Sequence, residues 1–282
     1  MNPMILFPNA KINIGLYITS RRDDGYHNLE TLFFPVGWQD ILEIVPAKGT
    51  QTTLTVSGNA VECPPEKNLV MKAYAALNDV IPLPPVDIYL HKIIPDGAGL
   101  GGGSADAAFT LKGLNELFSL EMTDGQLAEI AAKIGADCPF FIYNRPMLAK
   151  GIGNEFTPVD IDLSGKTIAI VKPHESVSTR EAYSGVTPMI PECDLTTAIS
   201  ADIKEWRGKI SNDFEKSIFP LHPAIQSVKE QLYALGADYA SMSGSGAAVY
   251  GIFQSDNYDR LSEQLAKTFP GCATFSGKIL LS

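Results

Sequence analysis

Between Pro95 and Ala108 the chain reads PDGAGLGGGSADAA, with glycine at positions 97, 99, 101, 102 and 103. Glycine lacks a Cβ, so its amide can approach a ligand closely and its φ can be positive. A helix predicted from near Ser104 adds free N–H groups and the positive end of its dipole. That chemistry is phosphate binding, although the stretch taken alone also fits a flexible linker before a helix. A Walker A loop is excluded, because Gly103 stands where its lysine would be. Gly97-x-Gly99-x-x-Gly102 formally matches a dinucleotide fingerprint but lacks a βαβ unit around it. The HRD and DFG signatures of protein kinases are absent.

Other residues could do chemistry, and each has a plainer reading. Asp137 lies between Gly135-Ala136 and Pro139 at a helix end, where a carboxylate is usually just solvated. Lys11 and Asn13 share one face of a strand, and a single strand lysine is usually solvated too. Tyr26-His27 follows the turn signal Asp23-Asp24-Gly25, and turn aromatics often only cover a core edge. Ser243-Gly-Ser-Gly246 can offer backbone N–H groups to a phosphate or simply turn the chain. His91, His174 and His222 show no triad or metal spacing, and Cys63, Cys138, Cys193 and Cys272 form no CxxC pair.

The elements that must position these residues are readable from periodicity. Ile12, Ile14, Leu16 and Ile18 alternate with Lys11, Asn13, Gly15, Tyr17 and Thr19, which predicts a strand. Further strands are predicted at Ile41–Val45, Thr52–Val56, Val86–Ile93, Thr167–Val171 and Ala247–Phe253. Ala107, Leu111, Leu114 and Phe118 line one helix face, and Asn68–Asn78 reads as another helix. Thr123-x-x-Gln126 has the capping-box form, with Gly135 as a later stop. Pro223 opens a helix carrying Ile225, Val228, Leu232 and Leu235 before Gly236. This irregular interleaving predicts an α+β fold, not a doubly wound sheet. At 282 residues the chain holds two domains or one large one, and the aperiodic stretch Thr157–Gly165 suggests 1–160 and 161–282.

Composition excludes several classes. Hydrophobic residues make up 45% and charged residues 19%, an ordinary globular balance without repeats. The net charge of −10 argues against a nucleic-acid partner, though not against a small anion held by backbone donors. No run approaches about 20 apolar residues, so no membrane partner is expected. Nothing basic precedes Lys11, against a secretory signal, which makes a cytoplasmic protein with reduced thiols the expectation.

Pro95-Asp-Gly-Ala-Gly99-Leu-Gly-Gly-Gly-Ser104 resembles the middle motif of the GHMP kinases, the superfamily of galactokinase, homoserine, mevalonate and phosphomevalonate kinases. Five further segments resemble one branch: Pro8–Leu16, Arg21–His27, Gly135–Phe141, Asn212–Glu215 and Ser243–Gly246. That branch phosphorylates the 2-hydroxyl of a cytidine-diphospho-methylerythritol in the non-mevalonate isoprenoid route. The resemblance implies a two-domain α+β fold of mostly antiparallel sheets packed with helices, its active site in the cleft between domains. It implies ATP and Mg²⁺ as cofactors and a small-molecule substrate.

By the same resemblance, Asp137 is the base that accepts the hydroxyl proton and Lys11 its partner. Pro95, Asp96, Gly97, Ala98, Gly99, Leu100, Gly101, Gly102, Gly103, Ser104 and Ala105 wrap the ATP phosphates, with Ser104 the candidate Mg²⁺ ligand. Asn68, Leu69 and Lys92 lie on the adenine side. Asn13, Tyr26, His27, Thr179, Tyr183, Gly244 and Gly246 serve the substrate, with Tyr26-His27 and Tyr183 at the cytosine. Ala105 departs from the pattern, since many members carry a second Ser there, and Ala247 stands where a small hydroxyl residue or Cys is common. Two rivals remain: a homoserine or mevalonate kinase of the same class, and a catalytically silent nucleotide-binding protein. Tyr26-His27 speaks against the first, whose substrates have no base to stack, and the pair Lys11 and Asp137 speaks against the second.

The glycine loop is expected at the surface and to need positive φ, so Gly101→Val should abolish ATP binding. Calorimetric ATP titration beside a thermal melt checks this. Unchanged affinity in a folded Gly101→Val protein would revive the linker reading.

Overall fold

The computed structural model describes residues 3–59, 63–254 and 258–279. By packing, the chain forms two compact units woven from separate segments. The first comprises residues 1–10, 38–96 and 101–144, and the second 11–37, 97–100 and 145–282. These units are interleaved along the chain and do not follow a single cut near residue 160.

The first unit is built on a four-stranded sheet in the order β1 (Met4–Leu6), β4 (Ile41–Pro46), β6 (Val86–Lys92), β5 (Thr53–Gly58). Its pairs are antiparallel except β5 with β6. Along β6 Val86, Ile88, Leu90 and Lys92 are buried while Tyr89 and His91 are exposed, the period of a half-buried strand. Among the described residues four α-helices belong to this unit: α1 (Leu69–Asn78), α2 (Gly102–Leu117), α3 (Asp124–Ala132) and α4 (Cys138–Tyr143). Helix α2 packs on β1 and β4 at Gly113, where a Cβ would lie 2.5 Å from Leu6 Cδ1 and 2.9 Å from Ile44 Cδ1. The Thr123–Gln126 capping box opens α3 with both reciprocal bonds made. Helix α2 starts at Gly102, two residues before the predicted start, because Gly101 at φ +72° supplies the N-cap.

The second unit holds two sheets. One runs β2 (Asn9–Arg21), β3 (His27–Gln39), β7 (Met147–Lys150), β8 (Glu155–Pro158). The other runs β10 (Tyr239–Met242), β11 (Val249–Phe253), β9 (Thr167–Lys172), β12 (Ala273–Lys278), antiparallel throughout. Around them lie α5 (Thr179–Ser184), α6 (Leu195–Ile199), α7 (Phe214–Ile218), α8 (Pro223–Ala234) and α9 (Tyr258–Thr268). Helices α8 and α9 pack on the second sheet, and Ile225, Val228, Leu232, Leu261 and Leu265 join Val171 and Val249 in one core. The α+β class with mostly antiparallel sheets is therefore as expected. Among the described residues no helix is long and apolar enough to cross a membrane.

Strand β2 departs from the simple two-faced reading. Ten of its residues in succession, Asn9 to Ile18 apart from the frayed end, include polar ones that are buried: Lys11 is 4% and Asn13 2% exposed. The alternation in the sequence records chemistry on the two faces, yet protein covers both.

The stretch Asn212–Glu215 explains part of this unit. Asn212, 1% exposed, donates from Nδ2 to the carbonyls of Met242 and Gly244 at 2.8 Å each. Its Oδ1 accepts the Phe214 N–H at 3.0 Å. Asp213 accepts the Ile18 N–H at 2.9 Å, and Glu215 accepts from the Met242 N–H at 2.8 Å and from Lys229 at 2.6 Å. These bonds fix the end of β10, where Ser243–Gly246 begins. Asn212→Ala should cost about 2–4 kcal/mol, since it strands two buried carbonyls and an amide. Urea unfolding measures it, and a loss below about 0.5 kcal/mol would show that Asn212 is not the pin.

Candidate phosphate loop and catalytic residues

In the second unit, the glycine loop meets the Ser243–Gly246 loop backbone to backbone. Gly99 sits at φ +73°, and a Cβ there would lie 2.1 Å from the Ser243 carbonyl oxygen. Ser243 Oγ donates to the Gly99 carbonyl at 2.9 Å, and the Ala248 N–H donates to the Ala98 carbonyl at 3.1 Å. The Lys11 N–H donates to the Leu100 carbonyl at 2.9 Å. Gly97, Gly244 and Gly246 also have positive φ, at +58°, +56° and +93°. The loop expected at the surface is only partly there: Gly97 is exposed and Gly99 and Gly101 are half-buried, while Ala98 is 2% and Leu100 1% exposed and anchor the loop by packing.

The side chains of β2 continue this network. Lys11 Nζ donates to Asn13 Oδ1 at 2.7 Å and lies 4.7 Å from the centroid of the Phe33 ring. Asn13 Nδ2 donates to Thr31 Oγ1 at 2.9 Å, and the Thr31 hydroxyl donates to the Gly15 carbonyl at 2.5 Å. Tyr250 fixes the backbone beneath by donating its hydroxyl to the Asn13 carbonyl at 2.8 Å. Thr31, Phe33 and Tyr250 were not singled out from the sequence, and nothing local marks them; Ser243 belongs to the glycine turn that was.

Elsewhere in this unit the aromatic residues gather. His27 stacks on Tyr183 with centroids 5.0 Å apart, and Tyr183 meets Phe214 edge-on at 4.8 Å. Tyr26 stands beside them in sequence with 63% of its surface exposed. Thr179, also exposed, is the first residue of α5, the helix that carries Tyr183.

The first unit collects the remaining residues. Helix α2 has sixteen residues and no side-chain cap on Gly101, so its first-turn amides are left for another acceptor. A Cβ at Gly103 would touch only Leu69 Cδ1, at 3.6 Å, which leaves that surface open. The same contact brings the start of α1 beside the start of α2. Asn68 caps α1 by accepting the Val70 N–H at 3.0 Å. Pro95 is half-buried and Asp96 exposed at the loop's entry, while Ala105 is fully buried in α2.

Ser104, in the first turn of α2, hydrogen-bonds the Cys138 thiol. Burial pushes that thiol up to about 11 despite this bond, so it stays protonated and unreactive. Asp137, half-buried, is the residue before it and occupies the N-cap position of α4 without capping by its side chain. The uncapped α2 terminus and the Asp137 carboxyl thus belong to one neighbourhood.

Lys92 is not the exposed strand lysine of the plainer reading. It is 5% exposed and paired with Asp40 and with Asp106, the latter at 2.6 Å. Burial would lower the ammonium, but the two carboxylates outweigh it and hold Lys92 above the ordinary lysine range. Burial pushes the Asp106 carboxyl up to about 7, against the pull of Lys92 and with the repulsion of Asp40.

The residues expected from the sequence therefore assemble in two groups. Asn68, Leu69, Lys92, Gly101 to Ala105 and Asp137 lie in the first unit. Lys11, Asn13, Tyr26, His27, Gly97 to Leu100, Thr179, Tyr183, Gly244 and Gly246 lie in the second.

Comparison with known proteins identifies the family. Residues 68–145 match the GHMP kinases N terminal domain, and residues 195–271 match the GHMP kinases C terminal domain. The chain is 53% identical over 255 residues to the 4-diphosphocytidyl-2-C-methyl-D-erythritol kinase of Bacteroides fragilis, covering 90% of this chain and 93% of that one. It is 50% identical over 276 residues to the enzyme of the same name from Parabacteroides distasonis, covering 98% of this chain and all of the other. A crystal structure of 4-(cytidine 5'-diphospho)-2C-methyl-D-erythritol kinase superposes with a TM-score of 0.81 at 31% identity, over 97% of this chain and 98% of that one. Homoserine kinase from Cytophaga hutchinsonii, at 17% identity and a TM-score of 0.74, covers all of this chain and 95% of that one and shares the fold alone. The chain belongs to the GHMP kinases, in the family of the 4-diphosphocytidyl-2-C-methyl-D-erythritol kinases.

Proposed function

We propose that the chain transfers the γ-phosphoryl group of ATP to the 2-hydroxyl of 4-diphosphocytidyl-2-C-methyl-D-erythritol, releasing ADP. The observation that carries this reading is identity of about one half, along nearly the whole chain, to relatives named for that kinase activity. Homoserine and mevalonate kinases share the fold at 17% and 14% identity, so the fold by itself does not choose the substrate. The aromatic group of Tyr26, His27 and Tyr183 supports a substrate that carries a base, because stacking on a nucleobase is worth about 1–3 kcal/mol.

In the reaction, the 2-hydroxyl oxygen bonds to the γ-phosphorus as the bond to the ADP oxygen breaks, and the hydroxyl proton passes to the Asp137 carboxylate. Lys11, oriented by Asn13 and Phe33, stabilises negative charge as it develops. The first-turn amides of α2 and the positive-φ glycines take the phosphates, and Gly244 gives a backbone donor to the substrate diphosphate while the Gly246 N–H closes the turn onto the Ser243 carbonyl. Thr179 and His27 supply polar contacts at the cytosine. The donor set fits a magnesium-nucleotide: a first-turn hydroxyl at Ser104 beside an uncapped helix start. Mg²⁺ bound with the triphosphate supplies neutralisation of its β- and γ-oxygens, and Ser104 is the residue that would hold it. A cytoplasmic location is consistent with a small-molecule substrate and with ATP as the phosphoryl donor.

Two measurements test the reading. In an ADP-release assay across a substrate panel, the cytidine diphosphate substrate should exceed mevalonate and homoserine by at least about 1,000-fold in kcat/KM, as a hydrogen-bonding and stacking site rejects ligands without the base. Comparable efficiency with mevalonate would refute it. Asp137→Asn should lower kcat by about 100-fold or more while ATP still binds. A loss under tenfold in folded protein would remove Asp137 as the base.

A further inference from the structure

The cluster of Asp40, Lys92 and Asp106 is not used by the chemistry above, yet it ties three elements together inside the first unit. Asp40 lies between β3 and β4, Lys92 ends β6, and Asp106 is the fifth residue of α2. All three are buried: 0%, 5% and 3% exposed. One Asp40 oxygen accepts the N–H groups of Ile93 and Ile94, at 2.6 and 2.8 Å, as the chain leaves β6 for the glycine loop. The other oxygen takes the Lys92 ammonium, which also donates to Asp106 at 2.6 Å. The second Asp106 oxygen is buried with no hydrogen-bond partner. A Cβ on Gly102 would come within 3.3 Å of Lys92 Nζ and 3.1 Å of Ile94 Cγ2. The ammonium therefore sits directly behind the first residue of α2, with its charge taken up by carboxylates.

We propose that Lys92 is a positioning residue for nucleotide binding: with Asp40 and Asp106 it forms an internal strut that sets the first turn of α2 against the end of β6, and its side chain does not contact ATP. Three physical points support it. The ammonium is buried behind the helix, and its donors are directed at two carboxylates. Asp40 reads the backbone on the loop side and Lys92 on the other, so one carboxylate couples the loop's entry to the helix's start. Two carboxylates to one ammonium also leave a negative excess behind amides that must attract phosphates, and Lys92 limits that excess. Glycine at 102 is needed on this account for close approach to Lys92, since α2 places it in ordinary helical conformation.

The inference rests on the proposed binding of ATP phosphates at the start of α2, and the tests separate the two. ATP affinity is measured by calorimetric titration, in alkaline buffer where the carboxylates are ionised, and steady-state KM values are measured for both substrates. Lys92→Met should weaken ATP at least tenfold while the KM for the alcohol substrate moves less than threefold. Lys92→Met with Asp106→Asn should recover most of that loss, because the amide can hydrogen-bond Asp40 and one of the two opposed charges is gone. Asp106→Asn alone should tighten ATP at least twofold by removing buried negative charge, and it decides the matter if Lys92→Met does not fold. Loss that the double variant does not recover would mean that Lys92 touches nucleotide and would overturn the proposal. So would equal effects on both substrates, or an unchanged or weaker ATP affinity in Asp106→Asn. A wild-type protein that binds ATP but does not phosphorylate the cytidine diphosphate substrate would fail the proposed function and leave the strut to be judged on ATP affinity.

Discussion

At Gly99 one added carbon would lie 2.1 Å from a carbonyl oxygen, and much of the second unit is arranged around that approach. Two loops meet there through backbone alone, which only glycine permits at positive φ. Asn212 and Glu215 hold one loop from below, and the Lys11 and Ala248 amides hold the other from the side. Lys11 thus has two separate jobs. Its main chain anchors the glycine loop, while its side chain points into the hydrogen-bonded row of Asn13 and Thr31. The residue proposed to stabilise charge is placed by the same strand that shapes the phosphate loop.

The charge problem has a local solution. A chain of net charge −10 has no general attraction for a triphosphate. The donors proposed for phosphate are backbone N–H groups, whose dipoles are fixed by the fold and unaffected by pH. The buried ammonium groups are held close to this machinery but are themselves neutralised or oriented. Lys92 is held between two carboxylates, and Lys11 lies against an amide oxygen and an aromatic ring. Desolvating a lysine without such partners would shift it toward its neutral form.

Local features of the sequence were readable where the physics is local. The Thr123–Gln126 box, the helix read from Asn68 to Asn78, Pro223 at a helix start and the six predicted strands all appear with small shifts at their ends. The need for glycine in the loop was legible, and Gly97, Gly99 and Gly101 have the positive φ expected there. Features that depend on distant partners were not legible. Strand β3 carries Pro35 and Gly37, which read as breakers, yet it runs for thirteen residues beside β2 and β7. The burial of Lys92 depends on Asp40, fifty-two positions away, and no periodicity encodes such a pair. Thr31 and Phe33 are ordinary strand residues in sequence and gain meaning only opposite β2.

Backbone amides from the glycine loop and the first turn of α2 are proposed to hold the nucleotide phosphates. The most direct measurement is the amide chemical-shift change of isotopically labelled protein during titration with ATP. The largest changes should fall on residues 97–105, with the Asn68 and Leu69 amides also moving. Large shifts elsewhere, with residues 101–105 unmoved at saturating ATP, would contradict the account.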